Sequence, residues 1–221
     1  MDKLGFMAAA AQQIMNPVPA MPAPPLENPV VVIGPQFLAQ YPVDLAIKSR
    51  VFTLGENDFK VTDINGTLIF QVKSKLLSLH DTRYLQDAAG NTLANLKQRI
   101  LTMHRRWEVF RGESPELLFT VKKSSLIQFK TELDVFVAAN TAQKVPDFKI
   151  KGSWMERSCT ITLGDSNIII AQMHKKHNLT TVLFDNADSF AVTVYPNVDY
   201  AFIVALVVLL DEINDDRKGK D

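Results

Sequence analysis

The histidines and the single cysteine are the residues that could bind a metal ion or act as a nucleophile. His174 and His177 form a close pair in QMHKKHN, within a run of strand-like composition. Side chains three positions apart on a strand point to opposite faces, so this pair cannot converge on one ion. Cys159 also lies in a β-type run, which predicts a buried thiol without a histidine partner. We therefore expect no metal site and no cofactor.

Motifs of the common catalytic classes are missing from the sequence. The chain has no G-x-S-x-G turn for a nucleophilic serine, no HExxH pair and no glycine-rich phosphate loop. A single cysteine also excludes an internal disulfide. The sequence therefore predicts a protein that is not an enzyme.

Basic side chains occur in short clusters that could bind anions at the surface. These clusters are Lys73-Ser74-Lys75, His104-Arg105-Arg106, Lys122-Lys123 and Lys175-Lys176. The chain has 24 basic and 24 acidic residues, so no overall field attracts nucleic acid or an anionic membrane. Any anion site must be a local patch, and without a basic recognition helix we expect no direct binding of nucleic acid.

The elements that position these residues are short β-type segments. From about residue 30 these segments follow one another, and no long amphipathic helix lies between them. They run from VVIGPQFLA through VDLAIKSRVFTL to LTTVLF and are rich in Val, Ile, Thr and Phe. Turn signals separate them, and Asn65-Gly66 favours a tight type I′ hairpin. The pattern predicts an all-β domain followed by one late helix.

An internal repeat relates two of the hairpins. The pattern D-x-x-G occurs at positions 63–66 and 87–90, and the same offset of 24 residues pairs Ile69 with Leu93, Val72 with Leu96 and Lys73 with Lys97. The matched apolar positions distinguish this repeat from an accidental recurrence of a common turn. A meander of such hairpins that closes on itself has an interior and no open edges.

The stretch DYAFIVALVVLLDEIN, residues 199–214, predicts a helix that belongs in that interior. From Tyr200 to Leu210 the tyrosine hydroxyl is the only polar side-chain group, so every face of the helix must avoid water. A membrane span needs roughly 20 apolar residues, about twice this run. Asp199 should cap the helix N-terminus. Asp211 and Glu212 oppose the helix dipole at the other end, and the sequence offers no reason for them.

The predicted domain has a tail at each end. Residues 1–28, rich in Pro and Ala with few charges, read as a flexible N-terminal tail. Residues 29–214 form one barrel domain with its central helix at about 199–214, and residues 215–221 form a charged C-terminal tail. The sequence shows no secretory signal and no transmembrane segment, so we expect a cytoplasmic monomer.

Several of these stretches resemble the plant LURP-one-related family. The resemblance is carried by VTDINGTLIFQVKSK, LQDAAGNTL, RSCTITL and IIIAQM, and most specifically by the ending DSFAVTVYPNVDYAFIVALVVLLDEI. That family is similar in fold to the tubby C-terminal domain and the phospholipid scramblases. It implies a mainly β fold, a closed twelve-stranded antiparallel β-barrel around a central apolar C-terminal α-helix. It also implies a plant setting and a role in pathogen defence.

The resemblance implies a lipid-binding site as well. Tubby domains bind phosphoinositide head groups through a basic K-x-R-type element on the strand that leaves the equivalent hairpin. The matching positions here are Lys73 and Lys75, where lysine replaces the arginine, keeps its charge and loses its bidentate contact with phosphate. The candidate helper residues at this site are Arg105, Arg106, Lys122 and Lys123.

A weaker candidate, by similarity to the scramblases, is a calcium site at Asp185 and Asp188. Calcium takes about six to eight oxygen ligands. Asp185 and Asp188 are the only carboxylates between position 185 and Asp199, which is too few for such a site. A polar turn between strands is therefore the favoured interpretation. Scramblase activity does not carry over, because the scramblase helix continues as a candidate membrane anchor, whereas this one ends in acidic residues.

Two functional hypotheses remain. The favoured one is a regulatory or membrane-tethering module that binds phosphoinositides or other anionic phospholipids, in the cytoplasm or peripherally at the plasma membrane. The alternative is a protein-binding scaffold or a transcription regulator in the nucleus that does not bind lipid. Fold similarity alone does not decide between them.

Overall fold

Twelve antiparallel strands form a closed barrel in the computed structural model, which describes residues 26–53, 56–74, 82–99, 106–124, 131–153, 155–174 and 189–218. The strands are β1 (Val43–Thr53), β2 (Glu56–Thr62), β3 (Leu68–Ser74), β4 (Thr82–Asp87), β5 (Thr92–Arg99), β6 (Arg106–Arg111), β7 (Leu117–Lys123), β8 (Thr131–Val137), β9 (Phe148–Ser153), β10 (Ser158–Leu163), β11 (Ile169–His174) and β12 (Ser189–Val194). Each strand pairs with its neighbours in sequence, and β1 pairs with β12 to close the barrel. The predicted fold class is confirmed.

The helix α1 (Tyr200–Lys218) follows β12 and fills the barrel. Every residue from Ala201 to Leu210 is at most 1 % exposed, so the prediction of a central apolar helix is confirmed. The ring of Phe202 packs between Phe119 and Phe148, with ring centroids 5.1 and 5.0 Å away. The helix runs four residues beyond the expected end at 214, because no helix-terminating glycine occurs before position 219.

Two of the twelve strands differ from the segments that the sequence suggested. The first segment, VVIGPQFLA, is not a strand, because Gly34-Pro35 interrupts it and a 3₁₀ turn, Pro35–Phe37, follows. The last segment, LTTVLF, lies outside the described residues. In their place the barrel contains β4, TRYLQD, and β12, SFAVTV. β4 has a mixed polar composition, so its sequence does not show an apolar β-type pattern.

The repeated hairpins are real, but their turn type differs from the predicted type I′. In both turns an aspartate (Asp63 or Asp87) accepts two backbone N–H groups through its Oδ1, and its carbonyl accepts the N–H of the glycine three residues later. Only the glycine takes a positive φ, 85° at Gly66 and 90° at Gly90. A type I′ turn would require positive φ at Asn65 as well. The aspartate cap therefore selects a three-residue loop.

The carboxylate of Asp199 joins the helix to the N-terminal segment. Its Oδ1 accepts the Phe202 N–H at 3.0 Å, which confirms the predicted helix cap. Its Oδ2 accepts three further backbone N–H groups, from Val32, Ile33 and Gly34, at 3.2, 2.7 and 3.0 Å. Asp199 is fully buried, so these four bonds replace the hydrogen bonds to water that the carboxyl group gives up.

The N-terminal segment closes this end of the barrel. Leu26, which the sequence placed in the flexible tail, packs against the core, and its carbonyl accepts the side-chain N–H of Asn197 at 2.9 Å. Phe37 packs against Tyr200 and Phe70, with ring centroids 5.6 Å away in each case. The segment therefore covers the beginning of α1.

Two arginines of the barrel wall account for the acidic residues near the other end of α1. Arg83 makes a bidentate pair with Glu212, at 2.8 and 3.0 Å. A guanidinium nitrogen of Arg157 lies 3.8 Å from the Asp211 carboxylate. All four side chains are at most 20 % exposed. Because α1 continues to Lys218, both acids lie more than one turn before its C-terminus, where the helix dipole opposes them little. Their arginine partners on the wall explain these two acidic residues.

A charge in the middle of α1 should destroy the fold. Leu206 is 0 % exposed, so in Leu206→Asp the carboxylate has no route to water, and we expect a loss of more than about 3 kcal/mol of unfolding free energy. Circular dichroism of the soluble fraction during urea unfolding measures it. The control Leu206→Met should cost less than about 1.5 kcal/mol. A stable, soluble Leu206→Asp protein would show that the helix is not enclosed.

Asp199 should be the carboxylate on which stability depends most. Asp199→Asn keeps the shape but turns one acceptor into a donor that faces an N–H group, so the unfolding free energy should fall by about 3 kcal/mol. Urea denaturation measures the change. The matched control is Asp87→Asn, because Asp87 also accepts two backbone N–H groups, but in an exposed turn. Equal losses in the two variants would contradict the assigned role of Asp199.

Candidate functional site

Most of the predicted basic residues belong to one end of the barrel, where α1 ends. At this end β3, β5 and β7 finish and β4, β6 and β8 begin, because successive strands alternate in direction. Lys73 lies near the end of β3, Arg106 begins β6, and Lys122 and Lys123 end β7. The predicted residues Lys75 and Arg105 lie outside the described residues.

Lys73 points outward from β3 and the next residue points inward. Lys73 is exposed, whereas the hydroxyl of Ser74 accepts a hydrogen bond at 2.6 Å from Arg83, the residue that pairs with Glu212 of α1. The alternation agrees with the strand geometry that the K-x-K pattern assumes. The cross-strand neighbour of Lys73 on β4 is Tyr84, so β4 separates Lys73 from the basic residues of β5.

Three cations form a continuous row on the outer surface of β5, β6 and β7. Arg99 lies opposite Arg106 across one strand pair, and Arg106 lies opposite Lys122 across the next. Neighbouring strands are about 5 Å apart, so the row brings three positive charges within the reach of one polyanionic head group. Together with Lys97, two residues before Arg99 on the same face, these residues define the basic face: Lys97, Arg99, Arg106 and Lys122.

Lys97 and Arg99 were not among the predicted site residues. They flank the buried Gln98 as exposed residues of β5, so they form a K-x-R element on the strand that leaves the second repeated hairpin. The 24-residue offset that pairs Lys73 with Lys97 also pairs Lys75 with Arg99. The sequence therefore contained a signal for these two residues. The repeat has a second basic element on β5, and this element includes the arginine that the first one lacks.

Glu108 orients the two arginines of the basic face. Its carboxylate lies 2.8 Å from the Arg99 Nε and 2.9 Å from an Arg106 terminal nitrogen. The glutamate side chain is 10 % exposed, while Arg99 and Arg106 are 55 % and 36 % exposed. One carboxylate contacts two guanidinium groups and holds them beside each other in a defined geometry on the basic face.

Aromatic rings hold the two lysines of the basic face. The Lys97 ammonium lies 5.3 Å from the centre of the Phe110 ring, and the Lys122 ammonium lies 5.2 Å from that of Phe136. These distances permit cation–π attraction. Lys123 follows Lys122 directly on β7 and therefore points to the opposite side of the strand. Of this predicted pair, only Lys122 joins the basic face.

The charges on the neighbouring strands β8 and β9 are balanced, which limits the basic face on that side. The Lys149 ammonium lies 2.6 Å from Asp165, 3.8 Å from Asp134 and 3.7 Å from Glu132. The hydrogen bond to Asp165 is the main reason why the pKa of Lys149 is raised. Lys149 is therefore a charge-balanced lysine and does not extend the basic face.

The other sequence candidates do not form a reactive centre in the described part of the chain. His174 Nε2 lies 3.2 Å from the Thr193 hydroxyl, which donates to Asp44. His177, Asp185 and Asp188 lie outside the described residues. Within the described ranges no three His, Cys, Asp or Glu side chains are placed to hold a metal ion. Nor does any helix there combine the length and apolar character needed to cross a membrane.

The thiol of Cys159 is a core group. Cys159 is 0 % exposed and lies opposite Gly152 of β9, where an added Cβ would come within 2.7 Å of the Cys159 Cα. Burial in apolar surroundings raises the pKa of the thiol to about 11, against a smaller opposing effect of Arg157. The thiol is therefore neutral at physiological pH, and a thiolate nucleophile is disfavoured.

A family model and individual relatives of known sequence both match this chain, and they name the same family. The family model described as LURP-one-related matches residues 43–211. Two Arabidopsis thaliana proteins, LURP-one-related 15 and LURP-one-related 10, are 50 % and 47 % identical to this chain, over 85 % and 84 % of its length and 88 % and 97 % of theirs. An X-ray structure of an Arabidopsis thaliana protein matches with a TM-score of 0.65 at 45 % identity and covers 83 % of this chain and 98 % of that one.

Cys159 should make stability sensitive to alkaline pH. Because the folded state raises its pKa from 9.0 to about 11, the unfolded chain releases the proton first as pH rises. The protonated thiol therefore makes its full contribution to the unfolding free energy below about pH 9. This contribution, on the order of 2 kcal/mol, is lost between about pH 9 and 11. Urea denaturation of the parent and of Cys159→Ala measures the unfolding free energy across this pH range. Between about pH 9 and 11 the unfolding free energy should fall more steeply with pH in the parent than in the variant. Parallel slopes would contradict the prediction.

Proposed function

The chain belongs to the LURP-one-related family, and we propose that it is a non-enzymatic module that binds anionic phospholipid head groups reversibly. In this proposal the protein is a peripheral tether at a cytoplasmic membrane surface, and the lipid contacts the basic face. The observation that carries the proposal is the row formed by Arg99, Arg106 and Lys122 on three neighbouring strands. A role in plant defence is proposed on the family resemblance alone.

The charge of the basic face suits reversible binding. Each basic residue near an anionic membrane contributes about 1 kcal/mol, so the four residues contribute about 4 kcal/mol, which corresponds to a dissociation constant of about 1 mM. Lys73, on the far side of β4, adds to this attraction. Lys75 and Arg105 are proposed as additional contacts. A binding free energy of this size gives weak membrane association. Added salt or a change of lipid composition can reverse it.

The arrangement favours a phosphorylated head group over a uniformly charged surface. Glu108 holds the two guanidinium groups beside each other, and guanidinium matches phosphate oxygens better than ammonium does. The lysines flank them on fixed aromatic rings. A phosphoinositide carries several phosphates on one ring and can contact both residue types. We therefore propose phosphoinositides ahead of singly charged phospholipids as the ligand.

Lipid binding should depend on the lysines of the basic face. In Lys97→Gln/Lys122→Gln, two charges are lost without removing the partners of Glu108, and binding should weaken by about tenfold or more. Co-sedimentation measures it with vesicles of phosphatidylcholine, with or without phosphatidylserine or a phosphoinositide. The effect should shrink as salt rises from about 0.1 to 1 M, where the screening length falls from about 10 to 3 Å.

The matched control is Lys48→Gln/Lys144→Gln, which changes the net charge equally. Lys48 lies on β1 and Lys144 in the connection between β8 and β9, both away from the basic face. Thermal midpoints should be nearly the same for both double variants. Failure of the parent to bind any anionic vesicle at low salt, or equal weakening by both double variants, would favour the protein-scaffold alternative.

A further inference from the structure

A cavity of about 660 Å³ opens at the opposite end of the barrel, where α1 begins. Its walls come from residues 38–45 before and within β1, from the turn 63–65 between β2 and β3, and from Ile69 and Tyr200. Small-ligand sites typically enclose about 300 to 1,000 Å³. The cavity is therefore large enough for more than one side chain, and none of its lining residues belongs to the basic face.

One side of the cavity is apolar and unusually exposed. Tyr41 is 68 % and Ile64 51 % exposed, which makes them two of the most exposed large hydrophobic residues in the described part of the chain. Both line the cavity, beside Leu38, Pro42 and Val43. Exposed apolar side chains that gather around one concave surface are typical of binding sites.

The charge of the cavity is negative. Asp44 and Asp63 line it, and none of its described lining residues is basic. Asp63 accepts the backbone N–H groups of Asn65 and Thr67, both at 2.8 Å, and the Thr67 bond is the main cause of its lowered pKa. Asp44 accepts the Thr193 hydroxyl. Both carboxylates are thus held in place, and Asp63 stays ionised to low pH.

The cavity wall is already formed around the tyrosine of the helix. The Tyr200 ring packs against Phe37 and Phe70, with ring centroids 5.6 and 5.7 Å away. The carbonyl of Ala39 accepts the Asn197 N–H at 2.8 Å, which ties the segment before β1 to the connection that leads into α1. A preformed wall lowers the cost of ordering on binding. Tyrosine rings also attract cations that lie over their faces.

We infer that this cavity binds a short segment of a partner polypeptide in which a lysine or arginine lies next to an apolar side chain. The basic group pairs with Asp63 and Asp44 beside the tyrosine rings, and the apolar group covers Ile64 and Tyr41. The cavity is larger than one basic side chain, and its apolar side needs a second group to cover it. The inference goes beyond the proposed lipid binding and does not depend on it.

The location of the cavity separates this surface from the basic face. The turns at this end carry further carboxylates: Glu116 and Asp165 pair with Arg111 and Lys149, and Asp87 and Glu113 add to the negative charge. An anionic membrane repels such a surface, whereas a basic polypeptide is attracted to it. Because the two surfaces lie at opposite ends of α1, a membrane and a partner can be bound at the same time.

The test uses the full chain and two fluorescein-labelled, terminally capped peptides, Leu-Lys-Phe and Leu-Glu-Phe, in a fluorescence polarisation titration. The lysine peptide should bind and the glutamate peptide should not. Asp63→Asn should weaken the lysine peptide by about fivefold, from the loss of one nearby charge at the surface. Tyr41→Ser should weaken it through loss of apolar and cation–π contact.

The matched control is Asp87→Asn, because Asp87 makes the same turn contacts in the repeated hairpin and does not line the cavity. It should leave peptide binding unchanged. Equal binding of the two peptides, no binding of either, or equal effects of Asp63→Asn and Asp87→Asn would overturn the inference. Displacement of the lysine peptide by an equal concentration of butylamine would also overturn it, since a simple amine would then suffice.

A further variant separates this inference from the proposed lipid binding. Lys97→Gln/Lys122→Gln should keep its affinity for the lysine peptide, because the basic face lies at the other end of the barrel. Loss of peptide binding in this variant would overturn the assignment of the cavity. Loss of vesicle binding alone leaves peptide binding at the cavity as inferred.

Discussion

An α-helix without a polar face must be enclosed on every side, and the rest of the molecule follows from this constraint. Twelve strands surround α1, and residues from Ala201 to Leu210 have almost no contact with solvent. The ends of the helix still carry unpaired backbone groups that require partners. At the first end the Asp199 carboxylate accepts one of these groups, the Phe202 N–H, and its other oxygen accepts three N–H groups of the N-terminal segment.

The two ends of the barrel are closed by different chemistry, and this difference separates the two proposed surfaces. At the start of α1 a buried anion and aromatic packing draw the N-terminal segment over the opening, and acidic turns surround it. Towards the other end, Arg83 and Arg157 of the wall meet Glu212 and Asp211 of the helix. Basic residues lie on the outer surface near that end, and Glu108 pairs with two of them, Arg99 and Arg106.

The repeated hairpin links the fold to the candidate site. Asp63 and Asp87 organise the same loop, so the strands that leave the two loops carry equivalent positions at equivalent heights. This equivalence places Lys97 where the first repeat has Lys73, and the same sequence offset pairs Arg99 with Lys75. The repeat is visible in the sequence, and it carries the basic positions as well as the hairpin fold. The turn type follows from the aspartate two residues before the asparagine, which caps the loop, and not from the Asn-Gly pair.

The sequence by itself determined an all-β domain, the enclosed helix, the Asp199 cap and the buried Cys159, because each depends on local composition or on the pattern of apolar residues. The resemblance to a known family implied the twelve-stranded barrel. It also placed basic residues on strands whose faces alternate. Only the tertiary structure decided which of them meet, since Arg99, Arg106 and Lys122 are neighbours through strand register and not through sequence spacing. The same holds for the arginine partners of Asp211 and Glu212 and for the cavity beside Tyr200. These features join residues distant in the chain, and their contacts exist only once the barrel has closed.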